Sequence, residues 1–210
     1  MRRRPDFENV NTSTLRRLDH AWFARDALVL SRALLGCYLV HERGPDEPDS
    51  PPRVARIVET EAYRGPKDLA SHARAGLTRR TRTLYGEEGH AYVFFIYGMH
   101  DCFNVTCGGA GRGHAVLIRA GEPTAGFAAG ARLDGPGRFS RAMGISRRLD
   151  GHDLTANPLY LCARTGRPRI DVTPRVGVAY AGEWADKPWR FIDAASSHVS
   201  RPPRKAVGRG

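Results

Sequence analysis

Arg56-Ile57-Val58-Glu59-Thr60-Glu61-Ala62-Tyr63 reads as a strand that ends in a carboxylate and an aromatic, with His72 shortly after it. The alternation over residues 54–60 is imperfect, which predicts a strand covered on both faces. A second apolar run follows, Tyr92-Val93-Phe94-Phe95-Ile96-Tyr97-Gly98-Met99. Residues 102–106 supply a returning strand across the turn Gly98-Met99-His100-Asp101, so the spacing predicts a hairpin. Along its first arm Tyr92, Phe94 and Ile96 share one face, while Val93, Phe95 and Tyr97 share the other. One acid, several aromatics and a basic background make up a kit for handling a nucleobase outside its helix.

The remaining elements are read outward from these two. Residues 27–35 predict a helix with Asp26 as N-cap and Gly36 just past its end. Residues 37–40 predict a strand and 43–53 a loop rich in proline and acid. Arg64-Gly65-Pro66 turns the chain out of the first strand. Residues 73–90, with Arg74, Arg79, Arg80 and Arg82, read as a mobile basic loop. A strand is expected at 115–119, ended by Gly121-Glu122-Pro123, with a helix starting near Thr124. Gly135-Pro136-Gly137-Arg138 introduces a further helix that Gly144 closes. Short strands are expected near Leu159, Val176 and Phe191. Strands and helices mix without βαβ alternation, which argues for an α+β fold. A basic, disordered tail is expected over 1–13, one domain over 14–195 and a basic tail over 196–210.

The length, 210 residues, suits one compact domain able to bury a core. Hydrophobic residues make up 41 %, an ordinary share. The formal net charge of +11 and the sequence pI of about 10.1 favour a polyanionic partner. Lysine occurs only at Lys67, Lys187 and Lys205, so nearly all positive charge is arginine, as in any Arg-rich proteome. Cys37, Cys102, Cys107 and Cys162 form no C-x-x-C pair. No apolar region follows Met1-Arg2-Arg3-Arg4-Pro5, and residues 91–99 are too few to span a bilayer. The expectation is a cytosolic protein with reduced thiols and no membrane partner.

Two readings fit Glu61. Beside Tyr63 it can orient and deprotonate a water, or it can be a structural ion-pair partner of one of the many arginines. Tyr63, Tyr92, Phe94 and Tyr97 can stack on a base, since every base has a π-face, or can form hairpin core. The tip Tyr97-Gly98-Met99 can wedge between base steps. The arginines of 73–90 suit phosphate contact or a solvated loop. His72, His90, His100, Asp101 and Cys102 are available to a metal, but without H-E-x-x-H or H-x-E…P-C-x-x-C spacing no catalytic metal is expected.

Several blocks in register then carry a resemblance. Arg56 through Tyr63, Ser71-His72-Ala73-Arg74, Tyr92 through Asn104, Ile118 through Pro123, Arg175-Val176-Gly177-Val178 and Ala181 through Phe191 together resemble the alkyladenine (3-methyladenine) DNA glycosylases of the mammalian type. The likeness runs from about residue 23 to 192. It implies a single mixed domain with a curved antiparallel sheet and a protruding β-hairpin flanked by helices. It implies hydrolysis of the N-glycosidic bond of alkylated or deaminated purines in duplex DNA, with no metal, no cofactor and no covalent intermediate. By position, Glu61 matches the general base and Arg119 an active-site arginine. Tyr63, His72, Phe94 and Asn104 match the pocket of the flipped base. Tyr97 matches the intercalating residue and Met99 its neighbour on the opposite strand. Phe94 departs from the family's usual Tyr, and His100 from a common aromatic; the proposed base is untouched.

Elementary chemistry points the same way. An enzyme that works on a base takes it out of the stack, and an oxocarbenium-like state is stabilised by a nearby carboxylate. No lysine falls in a matched catalytic block, so a monofunctional hydrolase is expected. A non-catalytic binder of damaged or distorted DNA is the alternative, and an RNA-acting hydrolase a weaker one. A monomer is expected.

Overall fold

The computed structural model describes residues 14–42, 50–96 and 98–200. The segment 1–13, most of the 43–53 loop, Tyr97 and residues 201–210 lie outside them.

Two short helices open the described chain, α1 (His20–Phe23) and α2 (Ala27–Leu34). Each starts on an aspartate that accepts a backbone N–H at 2.9 Å, Asp19 from Trp22 and Asp26 from Leu28. Gly36, at φ 81°, turns the chain out of α2 as expected of a residue just past a helix end. Then come β1 (Tyr38–His41), β2 (Arg53–Arg64), β3 (Ala91–Ile96), β4 (His100–Cys107) and β5 (His114–Ala125). α3 (Pro136–Met143), β6 (Leu159–Cys162), β7 (Ile170–Thr173) and β8 (Arg190–Asp193) complete it. Every strand pair is antiparallel, along the path β3-β4-β5-β2-β1-β6 with β8 joining β2 and β7. The sheet curls into a half-barrel with few helices, an α+β fold.

β2 is the organising strand. One edge pairs with β5 along its length. The other edge is divided, with β1 opposite Arg53–Arg56 and β8 opposite Glu59–Glu61. The second half of β2 is therefore enclosed on both sides. On one face Ile57 and Ala62 join Phe23, Leu30, Leu34, Phe103, Ile118, Phe139 and Phe191 in the main core. Each large side chain so buried contributes roughly 1.5–3 kcal/mol. Phe139 brings α3 against Gly121, where a Cβ would stand 2.8 Å from the ring, so the helix approaches only because that position is glycine.

The structure corrects several local expectations. Glu61 does not end its strand: β2 runs on to Arg64 because Ala62 and Tyr63 keep pairing with Val116 and Ala115. Gly121-Glu122-Pro123 does not end β5. Pro123 lies opposite Ala55, beside a register shift at Val54, where the ladder tolerates a residue without an N–H. Thr124 is accordingly a strand residue, and no helix begins there. The strand expected near Val176 is β7, which stops at Thr173 ahead of Pro174. Residues 73–90 are pinned rather than mobile: the Thr81 hydroxyl donates to the Gly76 carbonyl and that of Tyr85 to the Ala73 carbonyl, both at 2.7 Å. Their arginines stand exposed.

No helix among the described residues is long and apolar enough to cross a membrane. All four cysteines are buried and free, and burial pushes the thiols of Cys37, Cys102 and Cys162 up to about 11.

Candidate active site

A cavity of about 530 Å³ opens between the hairpin, the β2–β5 pair, the start of α3 and the loop after β7. Its volume falls within the usual range for small-molecule sites. Tyr63, His72, Phe94, Asn104 and Arg119 all line it, although they come from four separate stretches of sequence.

The acidic groups behind one wall come from β2. Glu59, Glu61 and Tyr63 recur at the strand period of two, and both carboxylates are fully buried. Glu61 accepts the Val176 N–H on Oε1 at 2.7 Å and the Tyr63 hydroxyl on Oε2 at 2.9 Å. Arg119 Nε stands 3.4 Å from Oε1. These three partners line the cavity, so Glu61 sits directly behind its wall. Burial first, and Glu61 second, hold the Tyr63 hydroxyl well above the ordinary phenol range, so it is a donor.

Arg119 reaches this position through an irregularity of the sheet. Glu59 faces Ala120 and Thr60 faces Ile118, which leaves Arg119 as an extra residue between them. Such bulges re-aim a side chain. Arg119 Nε donates to Glu59 Oε1 at 2.7 Å, and the same oxygen accepts Arg190 Nε at 2.8 Å. Ser200 closes the cluster, its N–H on Glu59 Oε2 at 2.6 Å and its hydroxyl on Oε1 at 2.8 Å. Burial opposes ionisation of Glu59, but Arg119 and Arg190 outweigh it and hold that carboxyl below its usual range.

The loop that supplies Val176 is anchored by Arg175. Its guanidinium donates twice to Asp68, at 2.6 and 2.9 Å, and to the carbonyls of Ala62 and Trp184. It also lies 4.8 Å from the centre of the Tyr63 ring. Neither Asp68 nor Arg175 has exposed side-chain surface.

The opposite wall is aromatic. The His72 and Phe94 rings meet edge to face at 4.4 Å, and His72 Nδ1 shares a hydrogen bond with the Tyr92 hydroxyl at 2.9 Å. Burial, helped by Arg80, pulls His72 down to about 4, so its ring is neutral at physiological pH. Asn104 spends its amide N–H on the Tyr92 carbonyl at 3.1 Å, which fixes its side chain in the wall. Met99 stands at the hairpin tip, 71 % exposed, away from the cavity. Tyr97 lies outside the described residues.

Glu61, Arg119, Tyr63, His72, Phe94 and Asn104 thus meet at one place. The sequence reading passed over Glu59, Arg190, Ser200 and the Asp68–Arg175 pair. Glu59 carried a signal, because two carboxylates two residues apart on a strand share a face. Ser200 carried none: it lies 141 positions from its partner. No group of three or more His, Cys, Asp or Glu side chains is placed to hold a metal among the described residues.

The chain matches the family model described as methylpurine-DNA glycosylase over residues 21–197. A relative from Myxococcus xanthus (strain DK1622), named "Putative 3-methyladenine DNA glycosylase", is 48 % identical over 188 residues, covering 89 % of this chain and 94 % of its own. A relative of the same name from Legionella pneumophila (strain Lens) is 42 % identical over 189 residues, covering 89 % of this chain and 100 % of its own. A match across most of the chain, in a fold that gathers the acid, the arginine and the aromatics at one cavity, places this chain in the methylpurine-DNA glycosylase family, as a DNA glycosylase of base-excision repair.

Proposed function

We propose that the protein flips an alkylated or deaminated purine out of duplex DNA into the aromatic cavity and hydrolyses its N-glycosidic bond with Glu61 as general base. The observation that carries this reading is the setting of Glu61. Its carboxylate is buried behind the cavity wall, each oxygen accepts one donor, and one lone pair on each is left over. A water admitted between Tyr63, Val176 and Arg119 gives its proton to Glu61 while its oxygen bonds to the sugar carbon. The purine leaves with the electron pair of the broken C–N bond. Extruding the base costs roughly a few kcal/mol, and Tyr97 and Met99 are assigned to fill and brace the gap.

Tyr63, His72 and Phe94 hold the purine by stacking. Neutral His72 suits a cationic methylated base, which leaves without acid catalysis. Such lesions are expected to react faster than hypoxanthine, which needs protonation and finds no evident acid. Asn104 is assigned to reject the amino group of normal guanine. Among the described residues no lysine lines the cavity, which supports a hydrolase without lyase chemistry. The protein acts as a monomer in the cytosol, on nucleoid DNA.

The test is single-turnover base release from duplexes carrying one hypoxanthine or one 7-methylguanine, with wild type beside Glu61→Gln. Release by wild type that disappears in the variant, with binding retained, is the expected outcome. Tight binding by both without release points instead to a damage binder.

A further inference from the structure

We infer that Glu59 is a positioning residue for catalysis: by taking the Nε–H of Arg119 it keeps that guanidinium from closing onto Glu61, and so leaves Glu61 able to accept a proton. This inference rests on Glu61 being the base.

The geometry is a contest of two carboxylates for one donor. Arg119 Nε is 2.7 Å from Glu59 Oε1 and 3.4 Å from Glu61 Oε1, so the hydrogen bond belongs to Glu59. The Nη2 of Arg119 donates to the Ser200 hydroxyl at 3.3 Å. Without Glu59, only the Ser200 hydroxyl holds the guanidinium on that side among the described residues, and Ser200 is itself seated on Glu59. A fork of two parallel N–H groups matches a carboxylate and is the strong form of this pairing. Closed onto Glu61, it would occupy the lone pairs that a water needs and favour the charged form, making a poorer base.

Glu59 is built to hold its place. Arg190 and Ser200 saturate the oxygen that Arg119 uses, and the Ser200 N–H holds the other. Among the described residues, charged or titratable groups reach the pair from several neighbouring elements. They are Arg119 from β5, Arg190 from β8, Tyr63 from β2, Arg175 after β7 and the Cys102 thiol of β4, which senses both Glu61 and Arg119.

The experiment is the pH dependence of single-turnover base release, with duplex affinity measured separately, for wild type, Glu59→Gln, Ser200→Ala and Glu61→Gln. Glu59→Gln should release base about tenfold or more slowly on the plateau. Its acid limb should move down by about one pH unit or more, since the guanidinium favours ionised Glu61. Affinity for damaged duplex should stay within about twofold. Ser200→Ala, which loosens Glu59 without removing it, should shift the limb the same way by less. An unshifted limb in Glu59→Gln, or a rate loss that follows affinity, overturns the inference. If Glu59→Gln does not fold, an unshifted limb in Ser200→Ala overturns it. Release that persists in Glu61→Gln removes the base assignment itself. An inactive Glu61→Gln beside a wild-type-like Glu59→Gln removes only the role given to Glu59.

Discussion

Asp68 and Arg175 form a doubly hydrogen-bonded pair with no exposed side-chain surface, and this pair sets the loop whose next residue, Val176, donates to Glu61. Two turns distant in sequence, the one after β2 and the one after β7, are locked together behind the site. Removing one partner leaves the other charge buried and alone. Asp68→Ala is therefore expected to lose about 3–5 kcal/mol of stability. Urea denaturation checks the value, and base release should fall more than duplex affinity as Val176 leaves Glu61.

His72 gives a pH signature. Its value is about 4 in the folded protein, against an ordinary 6.5, because burial disfavours the imidazolium. The folded state thus binds fewer protons than the unfolded chain between those values. Its contribution is unpenalised above about pH 6.5 and is eroded as pH falls toward 4, by at most about 1.4 kcal/mol per pH unit. Following the His72 ring protons by NMR should place the midpoint near the lower value, and His72→Gln should flatten the stability profile in this window. A midpoint near 6.5 would refute the neutral-ring account of the pocket.

Phe139 is the keystone between α3 and β5, fully buried and set against Gly121. Phe139→Ala is expected to cost about 3–5 kcal/mol through lost transfer energy and a residual cavity. Gly121→Ala should also destabilise, by overpacking, although it adds a methyl group. Thermal unfolding of both variants checks the pair; tolerance of Gly121→Ala would contradict the contact.

Duplex affinity should depend on salt. If exposed arginines such as Arg79 neutralise phosphates, log K falls linearly with log salt, and Arg79→Ala should reduce the slope by about one. The loss should be equal for damaged and undamaged duplex. A flat salt response would remove the basic face from the binding model.

Much of the architecture was legible from period and punctuation. The alternation of Tyr92, Phe94 and Ile96 against Val93 and Phe95 gave the hairpin arm but left open which face meets the cavity, which Tyr92, Phe94 and Ile96 line; Asp26 and Gly36 bounded α2. What escaped was decided by contacts between distant segments. Pro123 persists in a strand because of an irregular ladder opposite Ala55. Residues 73–90 are ordered by side chain to backbone bonds from Thr81 and Tyr85, which leave no periodic trace. In the site, Glu61 and the aromatics were readable as residue types in a telling order. The Arg119 bulge and the approach of Ser200 to Glu59 depend on how the sheet closes.

The divided edge of β2 has a consequence for biosynthesis. Glu59 leaves the ribosome well before its partners on that edge, since Arg190 follows it by 131 positions and Ser200 by 141. A nascent chain that has folded its first five strands holds two carboxylates and Arg119 with an open flank. Glu59 has not yet gained Arg190 and Ser200 beside Arg119. The cluster on Glu59 is therefore complete only once Ser200 has been made, and a message truncated before Arg190 yields a chain that has the hairpin but lacks the two residues that close on Glu59.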